Sequence, residues 1–162
     1  WFTQEPGGTQ VDGNTVFKEV ASTTYYAHWE ETTVFSVIVP AVLPVTVDQN
    51  GKVYVSNAEI VNHSTAAVQV SSVTLTAENG WTLVPYASDM SHAKVDSNQI
   101  GFKINSAQTS KTGSTEQFEL TSPWQINEEE SLTLTYDAVV SALSQPVTNA
   151  NILSVLFVVE WA

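Results

Sequence analysis

Asp48-Gln49-Asn50-Gly51 sets two side-chain oxygens two residues apart before a glycine, which is how a calcium-binding loop opens. Such a loop needs further oxygen ligands and a closing bidentate glutamate, and none stands at that spacing. The same four residues separate "VTV" from "KVYV", so a hairpin turn is the preferred reading. Asp48 and Asn50 remain the candidate calcium ligands. "NEEES" stacks Glu128, Glu129 and Glu130, and is read as a solvated turn between strands. His28, His63 and His92 lack the short spacing of a metal-binding pair. Serine, histidine and aspartate all occur, but no Gly-x-Ser-x-Gly turn presents a nucleophile, and cysteine is absent. No pair among the 17 acids is marked out for glycoside hydrolysis. The expectation is a non-enzymatic chain with no cofactor.

The aromatic residues point to binding instead. Trp81 and Trp124, with Tyr54, Tyr86 and Tyr136, would form a platform for stacking on sugar rings. Trp124 follows Pro123 in a loop-like stretch and is expected to be the exposed member. Trp81 follows Gly80 and alternates with Leu83, which favours core packing. Trp124, Trp81 and Tyr86 are the candidate ligand-binding residues. An internal Lys–Asn isopeptide bond would need a buried lysine beside an asparagine and a catalytic carboxylate. Lys103, Lys52 and Glu160 are the residues to weigh for it, and surface lysines that cover apolar ground with their stems are the preferred reading.

The elements that must hold these residues read as strands. "TTYYAHW" (23–29) alternates Tyr25, Ala27 and Trp29 against Thr24, Tyr26 and His28. "VFSVIVP" is a β-run ended by Pro40, and Pro44 confines this region to a sheet edge or a crossover. "AVQVSSVTLTA" changes phase at Ser71–Ser72, which predicts a bulge. "SDMSHAKV" allows one helical turn capped by Ser88. "NQIGFKIN" puts Ile100, Phe102 and Ile104 on one face. "EQFELTS" is expected to pair with "SLTLTYDAVVSAL", and Ile152 to Trp161 forms the last strand. There Glu160 shares a face with Leu156 and Val158 and is a candidate buried acid. Eight or nine short strands with turns every 8–12 residues predict an all-β chain, an antiparallel Greek-key β-sandwich.

Composition narrows the partners. The net charge is −12, all five bases are lysines, and there is no arginine. Nucleic acid and anionic membrane surfaces are therefore unsuitable partners. No apolar run reaches the roughly 20 residues of a membrane helix, so no membrane insertion is expected. The chain opens on Trp1-Phe2 without Met or signal peptide, and is expected to be a fragment of a longer precursor.

Residues 1–30 resemble the C-terminal half of the Listeria–Bacteroides repeat, also called the internalin B-repeat. "WFTQEPGGTQV" and "TTYYAHWE" carry the resemblance, through Trp1, Gly7, Gly8, Tyr26, Ala27 and Trp29. It implies a partial β-grasp-like repeat of the kind found in extracellular bacterial proteins. The rest resembles an uncharacterised domain of Firmicutes surface proteins, at Val39–Pro40, Leu43–Pro44–Val45, Gly51, Ile60, Asn62, Ser64, Gly80 and Trp81. It is also faintly similar to the exported camelysin and TasA β-sandwiches, some of which form matrix fibres. The expected domains are 1–30, the partial repeat, and 31–162, the β-sandwich. The expected place is extracellular, on a Gram-positive cell surface. The expected role is spacing, display or adhesion towards host or cell-wall glycan or protein. A fibre or biofilm-matrix subunit assembling by strand addition and a carbohydrate-binding module are the alternatives. A monomer is the expected state, with self-association as the alternative.

Overall fold

The structure, a computed structural model, describes residues 1–5, 7–16, 24–29, 32–47, 53–145, 147 and 150–162. The chain divides into two compact units, Trp1–Thr32 and Thr33–Ala162.

In the first unit the Gly-Gly turn has a steric cause. Gly8 sits at φ +86°, and a Cβ there would lie 2.6 Å from the Gln4 nitrogen and 2.8 Å from Thr3 Oγ1. Only glycine lets the chain fold back this closely. The turn lets Thr3 N–H donate to Thr9 O and Val11 N–H to Trp1 O. Phe2 and Tyr26 exchange two backbone hydrogen bonds of 2.8 and 2.9 Å. The expected strand at 23–29 is thus a single bridge at Tyr26 among the described residues.

The second unit is all-β, with several antiparallel sheets. Its strands are β1 (Val37–Ile38), β2 (Val45–Val47), β3 (Val53–Val55), β4 (Ala58–Asn62), β5 (Val68–Ala77), β6 (Thr82–Leu83), β7 (Gln99–Ile104), β8 (Ala107–Gln108), β9 (Thr115–Ile126), β10 (Ser131–Leu134), β11 (Tyr136–Val140) and β12 (Leu153–Trp161). They form sheets in the orders β12-β5-β9, β1-β4-β10, β11-β7-β6 with β8 on β7, and β2-β3. The pairing of β6 with β7 is parallel, unlike the rest. β2 and β3 pair antiparallel as the "VTV" and "KVYV" reading required, while the turn at 48–51 lies outside the described residues.

Alternation explains the core. Val68, Val70, Val73 and Leu75 of β5 and Ile100, Phe102 and Ile104 of β7 are fully or almost fully buried. They close on Ile60, Leu83, Ile126, Leu134 and Tyr136 in one apolar cluster. The phase change at Ser71 is a bulge. Both neighbours of β5 shift register there, between Val158 and Val159 on β12 and between Val70 and Ser72 against β9. A residue left over in the ladder flips the parity on either side of it.

Two expectations fail. β9 pairs with β5, not with the strands that follow it; β10 pairs with β4 and β11 with β7. The chain crosses between sheets after Ile126, and Asn105 then breaks β10 from β11 by accepting from Thr135 N–H and Oγ–H through Oδ1. The single helical turn, Met90–His92, is capped by Asp89 and not Ser88, because Asp89 accepts from Ser91 N–H.

Candidate functional site

Folding buries Trp124 and Tyr136, two members of the expected aromatic platform. Strand β9 runs straight through Pro123. Between the pairs Ser72–Glu119 and Val70–Trp124, four residues of β9 (120–123) oppose one of β5. A bulge of this kind absorbs a proline that cannot donate to a ladder. Trp124 therefore returns to the strand pointing inward, is 8% exposed, and donates its indole N–H to Ser106 Oγ at 3.0 Å. The expectation of an exposed Trp124 is overturned. Trp81 packs half-buried against the core.

Tyr86 is placed by a close approach. Gly101 of β7 lies under Pro85 and Tyr86, where a Cβ would meet Tyr86 Cα at 2.8 Å. The Tyr86 hydroxyl donates to Asp137 Oδ2 at 2.6 Å. That bond, then burial, then the Asp137 charge push the phenol above its usual value. Among the described residues no ring contact joins Trp81, Trp124 and Tyr86.

The charged and nucleophilic residues are also local fittings. Ser91 Oγ lies 2.9 Å from His92 Nδ1, and Asp89 Oδ2 lies 3.5 Å from the same nitrogen. A nucleophile and an acid must engage opposite ring nitrogens to relay a proton, so this cluster is no triad. Asp96 accepts from Ser144 N–H (2.8 Å) and Oγ–H (2.7 Å), which holds its carboxyl below the usual range. Among the described residues no three His, Asp or Glu gather as metal ligands, and Asp48 and Asn50 lie outside them. Lys103 is exposed. Glu160 is exposed too and accepts from Gln69 Nε2, so it is not the buried acid of a cross-link. Lys52 lies outside the described residues. Among the described residues no helix is long and apolar enough to cross a membrane.

A buried polar clasp was not anticipated. Asn62, fully buried at the end of β4, donates from Nδ2 to Ala66 O (3.0 Å), Ile126 O (3.2 Å) and Asn127 O (3.0 Å). Its Oδ1 accepts from Ser64 N–H at 2.8 Å. Ser64 Oγ in turn accepts from Ser36 N–H at 2.9 Å. The "I-x-N-x-S" spacing at Ile60, Asn62 and Ser64 is the local signal of this clasp. It ties the turn after β4 to the end of β9 and to the segment leading into β1.

The surface offers a cleft in the first unit and an apolar strand face in the second. In the first unit an open cleft of about 370 Å³ is lined by Glu5, Gly7, Ala27, His28 and Trp29. His28 stacks on Phe2 at 3.9 Å and reaches Gln4 O with Nε2 at 3.0 Å. In the second unit Leu156 is 62% and Val158 43% exposed on the outer face of β12. Val34, Phe35 and Trp161 are exposed at its end, and the Phe35 and Trp161 rings meet edge-to-face at 5.0 Å. The parity was readable, since Ser154 and Glu160 share the face of Leu156 and Val158.

No protein-family model matches the chain, no curated protein is significantly similar to it in sequence, and no solved structure matches its fold.

Proposed function

We propose that the chain is a non-enzymatic module of a bacterial cell surface that displays a contact surface and adheres to a host or neighbouring cell. The observation that carries this reading is how the second unit is hung. Val34 N–H donates to Thr65 Oγ1 and Thr65 N–H donates to Val34 O. Ala162 N–H donates to Ala67 O, and Phe35 meets Trp161. Val34 and Ala162, near the two ends of the second unit, thus lie together beside one turn, residues 63–67. A module held at one pole adds little length to a stalk and projects its other surfaces. That geometry favours display over spacing. The net charge of −12 favours a soluble, projecting module, and the resemblance of residues 1–30 to extracellular repeats agrees with the location.

The test is adhesion. Beads coated with the chain should bind host or bacterial cells, or their surface glycans and proteins, more than beads coated with an unrelated acidic protein. Binding no better than that control, or turnover of peptide, ester or glycoside substrates, contradicts the reading.

The second reading, a fibre or matrix subunit, is favoured by the exposed edge of β12. Strand addition would donate one of the Val-rich segments 33–39 and 152–162; residues 152–162 are laid along β5 within their own chain, and residues 33–39 pair through Val37 and Ile38. Assembly mass rising without limit as concentration rises is the outcome that would favour it.

A further inference from the structure

We propose that two copies of this chain pair through the outer edge of β12, antiparallel about a two-fold axis, so that two three-stranded sheets join into one. This goes beyond the adhesion reading and does not depend on it.

The backbone of β12 is set up for such pairing. Glu78 N–H donates to Ile152 O and Ala162 N–H to Ala67 O, which fixes the phase of the ladder with β5. In an antiparallel pair the bonding direction alternates along the strand. Even-numbered residues of β12 therefore bond to β5. Leu153, Val155, Phe157, Val159 and Trp161 turn their N–H and C=O groups outward. Among the described residues no strand and no backbone bond takes them. The register shift against β5 arises at Ser71, so β12 itself runs nine residues, about 30 Å, without interruption.

Within β12 itself the edge carries none of the sequence guards against pairing. Such guards are prolines, lysines, bulges or very short length. β12 has no proline or lysine, and its one charge is Glu160.

A second copy fits this edge in full overlap. Centring the axis on Phe157 opposes Leu153 to the partner's Trp161 and Val155 to the partner's Val159. Phe157 meets the partner's Phe157. All five outward-bonding residues then face outward-bonding residues. On the outer face Leu156 opposes the partner's Val158, so apolar surface meets apolar surface. Glu160 opposes the partner's Ser154, which keeps the two carboxylates apart. This charge match matters in a chain of net charge −12, because any register that faced acid to acid would be repelled. A two-fold contact uses the same patch on both chains and closes after two copies, unlike the open contact a fibre needs. A contact of one nine-residue strand from each chain is small, so the dimer is weak and concentration-dependent.

The experiment is light scattering on the full chain from ~10 µM to ~1 mM, values that span weak affinities. The mass should rise from 17.6 kDa towards twice that and stop. Leu156 and Val158 are exposed, so their replacement leaves the core intact. In the double variant Leu156→Lys/Val158→Lys, two ammonium groups oppose each other at both outer-face pairs beside the axis, and dimer should be lost at every concentration. In Leu156→Lys/Val158→Glu, each introduced ammonium instead faces an introduced carboxylate on the other copy, and dimer should return. A wild type that stays monomeric at ~1 mM overturns the proposal. So does a dimer indifferent to the double lysine, a charge swap that fails to restore pairing, or mass that grows past two chains.

Discussion

β9 and β12 flank the same strand, β5, and present different edges to water. β9 carries Pro123 and a four-residue bulge at 120–123, and its exposed side chains include Gln117 and Glu119, bonded to each other at 2.6 Å. Its end is anchored twice, by Trp124 in the core and by the Asn62 clasp on Ile126 O and Asn127 O. β12 is regular for nine residues, carries one acid, and shows Leu156 and Val158 to solvent. Bulges and prolines spoil an edge as a template for further strands, and an uninterrupted apolar edge invites one. Among the described residues of the second unit the sheet is thus closed on one side and open on the other.

The largest effect should come from the anchors of the closed side. Trp124→Ala removes a buried ring and its bond to Ser106, and should cost about 3–5 kcal/mol. A urea midpoint near that of wild type would mean the bulge does not rest on Trp124. Glycan-binding assays on Trp124→Phe, which keeps the core filled, should show no specific change, since the ring is buried.

Asn62→Ala strips the donor from three backbone carbonyls and the acceptor from Ser64 N–H. The expected loss is about 3 kcal/mol, because buried groups left unpaired each cost on the order of 1–3. Amide exchange should quicken first at residues 63–66 and 124–127. Uniform quickening across the second unit would deny Asn62 its local role.

Acid should act on the approach to β12. The folded carboxyl of Asp96 is depressed by Ser144, which lies between β11 and β12. Its contribution is therefore fully present above the ordinary carboxylate value, about 3.9, and is lost as pH falls through the lower folded value. Asp96→Asn should remove the acid-dependent part of amide exchange around residue 144. An unchanged pH dependence there would assign the effect to other groups.

The smallest effect on stability belongs to the open side. Leu156→Lys should change unfolding free energy by less than about 0.5 kcal/mol, as exposed substitutions do. A large loss would show that Leu156 packs on something and that the outer face of β12 is covered.

Much of this contrast can be read in the residues themselves. The alternation of β5 and β7 placed their core faces correctly, and Ser71–Ser72 announced the bulge. What failed was pairing between distant strands: β9 with β5, and β10 and β11 with β4 and β7. Local pattern sets which face is buried, but not which neighbour a strand takes across a crossover. Trp124 misled because Pro123 reads as a strand breaker when the bulge that tolerates it depends on β5. Glu160 misled because it shares a face with apolar Leu156 and Val158, although Ser154 and Glu160 together mark that face as outer. Asn62 and Ser64 stood in the sequence as a spacing only, since two of the carbonyls Asn62 holds come from residues more than sixty positions away.

The most direct measurement is amide hydrogen exchange across β9 and β12 as a function of protein concentration. Protection should rise with concentration at Leu153, Val155, Phe157, Val159 and Trp161 and stay constant through β9. Protection independent of concentration in β12, or rising equally in both strands, would contradict an open edge opposite a closed one.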